Sequence, residues 1–539
     1  ASKTGVRKGR RQENMGKMKG FLRVPVFVAS MLILLFGVFG IMLMGPPTMA
    51  AEKKVIVQAM DRDPDILDTI KAAWYSDALI YLHDRLVSRD YNFGYRPGLA
   101  TSWDVSGDGL VWTFHLRQGV TFHDGTPFTA KDVKWTIDTI KDPKTASPFA
   151  GDLKAIDKVK IVDDYTVQVF LKYPFPNLLF NLSNTASGIQ KAGCYDKYGD
   201  DYGIKVVIGT GPFMFKEWVR GDRIVLVKNP NYHWGPEWMS NQGPPLFDEL
   251  VIRTIPEESS RIMELVTGGV HVLRDVPPLQ VDKLKNNPEI NIFTEQSTRL
   301  GYLAYACDKK PFDNVLVRRA INHAVDRDTI VKYIFNGHAT PAYGYLPPAL
   351  KDEYLAESEK LGYKYDPDKA KALLAEAGFS KGFETTLSAE NDSTSKRLAE
   401  VLQAQLADVG IKAKIQLYDS ASYVAMLKAG QQDLFIRLYS WPNADILDWF
   451  LLSSQFPYPN HSRWCDPKTD ELINSAASAP TWEKRAQGYK EVQRHLIEQA
   501  VWCPIYIPDM MLAVRKEVIN FKIHPWMIQY SDGIDIKTK

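Results

Sequence analysis

At 539 residues the chain exceeds what one ordinary hydrophobic core organises, so length alone points to two to four domains. Charged residues at 24% and hydrophobic residues at 45% are the balance of a soluble globular protein. The net charge of +2 hides an asymmetry: residues 1–50 hold eight Lys or Arg and one acid, leaving 58 basic against 63 acidic residues, and that mildly acidic remainder argues against nucleic acid as a partner.

In chain order, the first feature is an uncharged run of 21 residues from Val24 to Met44, behind a basic start and ahead of Gly45-Pro46-Pro47-Thr48-Met49-Ala50-Ala51. It predicts a secretory signal cut after Ala50 or Ala51, with Pro46-Pro47 breaking the helix before the cut. The competing reading is an uncleaved anchor, because such a run is also long enough to cross a bilayer. No Cys lies near its end, so a lipid anchor is not expected. Residues 55–58 then read as a short apolar strand. Trp74 and Tyr75 follow, with Leu79, Ile80 and Leu82 close behind, and are either helix-face core or aromatics facing a ligand.

Residues 99–135 carry the clearest local pattern. Leu110, Trp112, Phe114 and Leu116 alternate with Val111, Thr113, His115 and Arg117, the period of a half-buried strand. A second alternating run starts at Val120 and Phe122, and Asp124-Gly125 is a turn signal. Thr129 stands three residues before Asp132, a capping-box spacing, and Val133, Ile137 and Ile140 share one helical face.

These residues, Leu-Ala-Thr-Ser-Trp at 99–103, Trp-Thr-Phe-His-Leu-Arg at 112–117 and Phe-His-Asp-Gly-Thr-Pro-Phe-Thr-Ala-Lys-Asp-Val at 122–133, resemble the signature of family 5 extracellular solute-binding proteins, the peptide and nickel receptors of ABC importers. Further matches run to the end of the chain. Gly209-Thr210-Gly211-Pro212-Phe213 is similar to the family's G-T-G-P-F, and no G-K-[ST] follows, so the glycines read as a tight turn and not as a phosphate loop. Where the family carries G-x-x-D-V this chain has Gly268-Gly269-Val270-His271-Val272, and His271 reads as a surface or strand-end residue. Tyr302 to Ala306, with Pro311-Phe312-Asp313-Asn314 and Val317-Arg318-Arg319-Ala320-Ile321, resembles the family's crossing between lobes, a natural hinge. Residues 366–439 alternate helix and strand, which predicts a second α/β domain. Helix 484–499 and a last strand at 503–507 would return the chain to the first lobe.

The resemblance implies a two-lobed periplasmic-binding-protein α/β fold, type II-like, with an extra subdomain inserted in the first lobe. The expected divisions are 1–51 signal or anchor, 52–87 first lobe, 88–206 inserted subdomain, 207–304 first lobe, 305–499 second lobe and 500–539 first-lobe return. Loops at strand ends line the cleft between lobes, so Tyr439, Trp441, Asn443 and Asp445 are the first ligand candidates, with Trp74 and Tyr75 opposite. In peptide-binding relatives the Trp precedes an Asp that holds the ligand's amino group. Here that position falls on Pro442 or Asn443, and the first carboxylate is Asp445. Dipeptide-type relatives place a basic residue before A-E-x-L-Q-A to take the ligand carboxylate, a position matched by Lys396 or Arg397. Asn460 to Cys465 is also similar to the dipeptide type, with Ser454 where a second Cys stands there.

The expected function is that of a monomeric receptor that captures a di- or oligopeptide-like small molecule by hinge closure and delivers it to ABC permease subunits. Alternatives are a nickel or metallophore, opine or oligosaccharide ligand, or a membrane-tethered sensor. No catalytic motif, metal-ligand spacing or cofactor fingerprint is present, so no enzyme activity, metal or cofactor is expected. Cys194, Cys307, Cys465 and Cys503 allow three full pairings, among which sequence does not choose.

Overall fold

A computed structural model describes residues 52–73, 76–526 and 530–537. The expected signal or anchor, and Trp74 and Tyr75, lie outside them.

The apolar strand Val55–Met60 pairs in parallel with Glu249–Thr254 on one side and with Val272–Leu273 on the other. Beyond Glu249–Thr254 the sheet continues antiparallel through Arg223–Lys228 and Phe213–Val219. Successive strand residues feed opposite cores: Ile56, Leu250 and Ile252 pack on one face, while Ala59 and Leu273 pack on the other, against Leu265 of helix Glu258–Thr267. A sheet covered on both faces explains why its strands read as apolar runs and not as alternations.

Strands Ala100–Val105, Val111–Leu116, Thr166–Leu171 and Ile156–Asp163 form a separate antiparallel sheet. Its inward residues Trp112, Phe114 and Leu116 are buried while Val111, Thr113 and His115 are half-exposed, as the alternation predicts. The capping box forms: the Thr129 amide donates to the Asp132 carboxylate at 2.8 Å, and helix Ala130–Lys141 buries Val133, Ile137 and Ile140. The run from Val120 makes no strand beyond one bridge, Thr121 to Pro127, because Phe122 and Phe128 both turn into the subdomain core.

The glycines of the Gly209-Thr210-Gly211 motif serve close approach rather than a turn. A Cβ on Gly209 would stand 1.8 Å from the Leu82 carbonyl oxygen, and one on Gly211 2.2 Å from that of Tyr81. Neither glycine has positive φ. Gly209→Ala is therefore expected to cost about 3 kcal/mol, the upper range for overpacking against an unyielding backbone, read as a fall in the urea midpoint.

The second half is built on strands Arg299–Tyr305, Phe383–Glu390, Ile411–Tyr418 and Leu434–Ser440. Phe383–Glu390 pairs in parallel with both Ile411–Tyr418 and Leu434–Ser440, the β-α-β arrangement that the sequence order predicts, with helix Ser393–Asp408 as the crossover. Asp366 caps helix Pro367–Glu376 by accepting the Lys369 amide at 2.9 Å. All four cysteines are free thiols, and Cys465 is the exposed one.

The long strand Trp502–Arg515 joins the two halves. Its first part pairs with residues 301–304 of the second half, and Asp509 to Arg515 pairs with Ile290–Gln296 of the first. The chain thus passes between halves at 297–298 and again at 508–509, where the Ser297 hydroxyl donates to the Pro508 carbonyl. Near the expected division at 304–305, Leu303 bonds in register with Ile436 on one side and Cys503 on the other and is fully buried.

Candidate functional site

Strand Leu434–Ser440 ends where the second half faces the first, and the following loop, 441–445, carries most of the predicted ligand residues. Trp441 is half-buried; its amide donates to the Thr298 carbonyl at 3.4 Å, beside the first interlobe link. Its ring meets Phe180 at 6.0 Å between centroids and Trp449 at 5.4 Å, and its indole Nε1 is buried without a hydrogen-bond partner. Asn443 is buried and donates to the Asn177 side-chain oxygen at 3.0 Å. Asn177 in turn donates to Asp445. Residues 177 and 180 lie at the start of helix Leu178–Ser183, whose Leu178 and Leu182 pack in the core of the four-stranded subdomain. Contact between this helix and the 441–445 loop therefore bridges the two halves of the molecule.

Asp445 is not a free carboxylate. Arg485, fully buried in helix Trp482–Gln499, pairs with it and stands 3.3 Å from Glu353, close enough for an ion pair but without hydrogen-bond geometry. Glu353 also accepts the Ala444 amide at 2.9 Å. Burial, with the charge of Asp445 adding to it, pushes the Glu353 carboxyl up to about 7 despite Arg485. The Asp448 carboxyl is likewise raised by burial and by Asp445, and it accepts the Tyr489 hydroxyl at 2.6 Å. Across the gap, burial and then Asp445 raise Asp152 to about 7. Asp152, Lys154, Tyr173, Asp445, Asp448 and Trp449 line one cavity of about 610 Å³.

This crowding sets a pH dependence. A carboxyl with a raised folded-state pKa holds its proton in the folded chain after the unfolded chain has released it, so stability falls as pH rises through that window. Asp152→Asn removes one such group. The variant is expected to be more stable than the parent above pH 7 and to lose that advantage progressively as pH falls from 7 toward 4, as measured by urea midpoints across the range.

A second cavity, of about 550 Å³, lies between the subdomain and the other end of the same loop. Arg89, Tyr95, Trp112 and Phe175 line it from the first half; Glu353, Pro442 and Trp482 line it from the second. Arg89 is only 4% exposed, and burial lowers its pKa from the ordinary value.

The remaining predicted residues are placed as follows. Tyr439 belongs to the second-half core: it is buried among Tyr302, Phe450 and Trp502, and its hydroxyl donates to the Tyr345 carbonyl at 2.6 Å. Lys396 is exposed on helix Ser393–Asp408, and Arg397 donates to the Ser393 carbonyl within its own turn at 3.2 Å. Trp441, Asn443 and Asp445 are brought together, whereas Lys396 and Arg397 stand on helix Ser393–Asp408 and Tyr439 in the second-half core. Sequence reasoning missed Arg89, Asn177, Phe180, Glu353 and Arg485. Only Arg485 carried a signal, since it falls one turn ahead of Tyr489 on the buried face of its helix.

The sequence matches the model of the bacterial extracellular solute-binding proteins, family 5, over residues 94–457. It is 31% identical to the glutathione-binding protein GsiB of Salmonella paratyphi A over 506 residues, covering 91% of this chain and 96% of that protein. Among solved structures, the periplasmic binding protein DppA of Helicobacter pylori in complex with the peptide STSA aligns with a TM-score of 0.78 and 29% identity, covering 90% of this chain and 98% of the other. A dipeptide-binding protein of Pseudoalteromonas sp. SM9913 in complex with Met-Leu aligns with a TM-score of 0.79 and 25% identity over 90% and 100%.

Proposed function

Because the chain belongs to the bacterial extracellular solute-binding proteins of family 5, we propose that it is the extracytoplasmic receptor of an ABC importer, taking a peptide-like ligand between its halves and presenting the closed form to the permease. The observation that carries this reading is the meeting of the 441–445 loop with Asn177 and Phe180 across the gap, in a molecule whose halves are joined by links at 297–298 and 508–509. Binding between such halves needs no chemistry. It requires only a ligand whose contacts are made to both walls and so favour the closed arrangement.

Peptides and peptide-like thiols lead the list of ligands because the relatives described above bind glutathione, STSA and Met-Leu. The internal pairing of Asp445 with Arg485 and Asn177 argues that a free amine is not held by that carboxylate alone. Small-angle scattering with a panel of glutathione, dipeptides, oligopeptides, opines, nickel chelates and oligosaccharides tests the reading, beside a thermal-shift series. A smaller radius of gyration together with a raised melting temperature is expected for at least one peptide-like member. Silence with every peptide and compaction with a chelate, opine or sugar would replace the ligand class. Silence with all of them would overturn the receptor reading.

A further inference from the structure

We propose that the cavity beside Arg89 is a subsite for the carboxylate of a ligand with an apolar or aromatic body. The inference rests on the receptor reading and names the chemistry that the receptor selects. Arg89 ends strand Val87–Arg89, opposite Tyr95 in register. Its guanidinium carbon stands 4.9 Å from the Phe93 ring, 5.5 Å from Tyr95, 5.2 Å from Phe180 and 5.3 Å from Trp526. These rings offer their faces to the charge, but they do not accept the in-plane N–H groups of the guanidinium. Its Nε and Nη1 are buried without a hydrogen-bond partner.

The acids nearby are committed elsewhere. Asp90 accepts the Asn92 amide at 2.9 Å, the Gly94 amide at 2.8 Å and Arg96 Nε at 2.7 Å, which closes its own turn. Glu353 is held by Arg485 and the Ala444 amide. No acid among the described residues forms an ion pair with Arg89: Glu353, whose charge reaches it from the same cavity, is engaged by Arg485, and the remaining walls combine Lys351 and Asp352 with Trp112, Phe175, Leu179, Pro442 and Trp482. Trp112 adds a second unpartnered donor there, its indole Nε1. A carboxylate fits this inventory: its two oxygens match the fork of an arginine, and its single charge balances a single cation. A doubly charged phosphate would leave one charge over. The volume of about 550 Å³ lies within the range of small-molecule sites and leaves room for an apolar body among those walls. Since both halves line the cavity, an occupant touches both and stabilises their contact.

Calorimetric titration with N-acetyl-L-phenylalanine and with its uncharged carboxamide tests the subsite in the parent, Arg89→Met and Arg89→Lys. The parent is expected to prefer the acid by about tenfold or more. Arg89→Met should bind acid and amide alike, and Arg89→Lys, which keeps the charge without the fork, should keep part of the preference. Equal binding of both probes by the parent, no binding of either at millimolar concentration, or a preference that survives in Arg89→Met would overturn the proposal. Should Arg89→Met fail to fold, Arg89→Lys decides, because an unchanged preference there contradicts the fork. A protein that compacts with peptides but does not distinguish acid from amide sinks only the subsite. One that distinguishes them but compacts with nothing in the panel sinks only the receptor reading.

Discussion

Arg485→Met is expected to lower the stability of the protein by about 3–5 kcal/mol at pH 7.5, the cost of breaking a buried ion pair from one side. Arg485 is fully buried, and its removal leaves Glu353, 2% exposed, facing Asp445 without a cation between them. At pH 5.5 the loss should be smaller. The Glu353 pKa of about 7 already reflects burial that Arg485 only partly offsets, so in the variant the carboxyl takes up a proton at still higher pH and sheds its unpaired charge. Adding Glu353→Gln to the variant should recover part of the loss at pH 7.5. A loss under about 1 kcal/mol in urea titrations at pH 7.5 would mean that water or rearrangement reaches the site, and would release Asp445 for contact with a ligand amine.

Trp441→Ala should weaken whichever panel ligand binds by about 30-fold, near 2 kcal/mol, the scale of a central aromatic anchor. The argument rests on position. Trp441 sits beside the link at 297–298, presents an unpartnered indole nitrogen, and touches Phe180 of the opposite half. Tyr439→Phe is the matched contrast from two residues earlier. It deletes a hydroxyl donating to the Tyr345 carbonyl in the core, so it should cost about 1 kcal/mol of stability and leave the dissociation constant within about twofold. Calorimetric titration of both variants separates the two expectations. Equal affinity in parent and Trp441→Ala would remove the loop from the site.

What was legible in the sequence was local. The alternation through Trp112, Phe114 and Leu116 and the Thr129–Asp132 capping box depend on neighbours a few residues away, and both stand within a residue of their expected place. The motif at 209–213 was legible as a feature but not as a cause, because sequence does not say whether a glycine serves its own φ or the backbone lying against it; here it is the Leu82 carbonyl. Pairing partners were not legible for a similar reason: a buried apolar strand such as Arg299–Tyr305 looks the same in sequence whether it has one partner or two. Arg89 and Arg485 were illegible as site residues. A lone charge reads as solvated until partners far along the chain, such as Phe180 and Trp526 for the first or Glu353 for the second, enclose it.

The strand Trp502–Arg515 also constrains how the molecule comes into being. It lies between Arg299–Tyr305 and Val272–Leu273, interior to the sheet, and pairs with Ile290–Gln296 as well. A ribosome supplies it about 200 residues after the partners it pairs with, which wait upstream with an edge unfilled. Neither half can complete its sheet before that strand emerges, and pairing over such separations is slow. The two halves therefore acquire their native pairing together, once this shared strand is available to both.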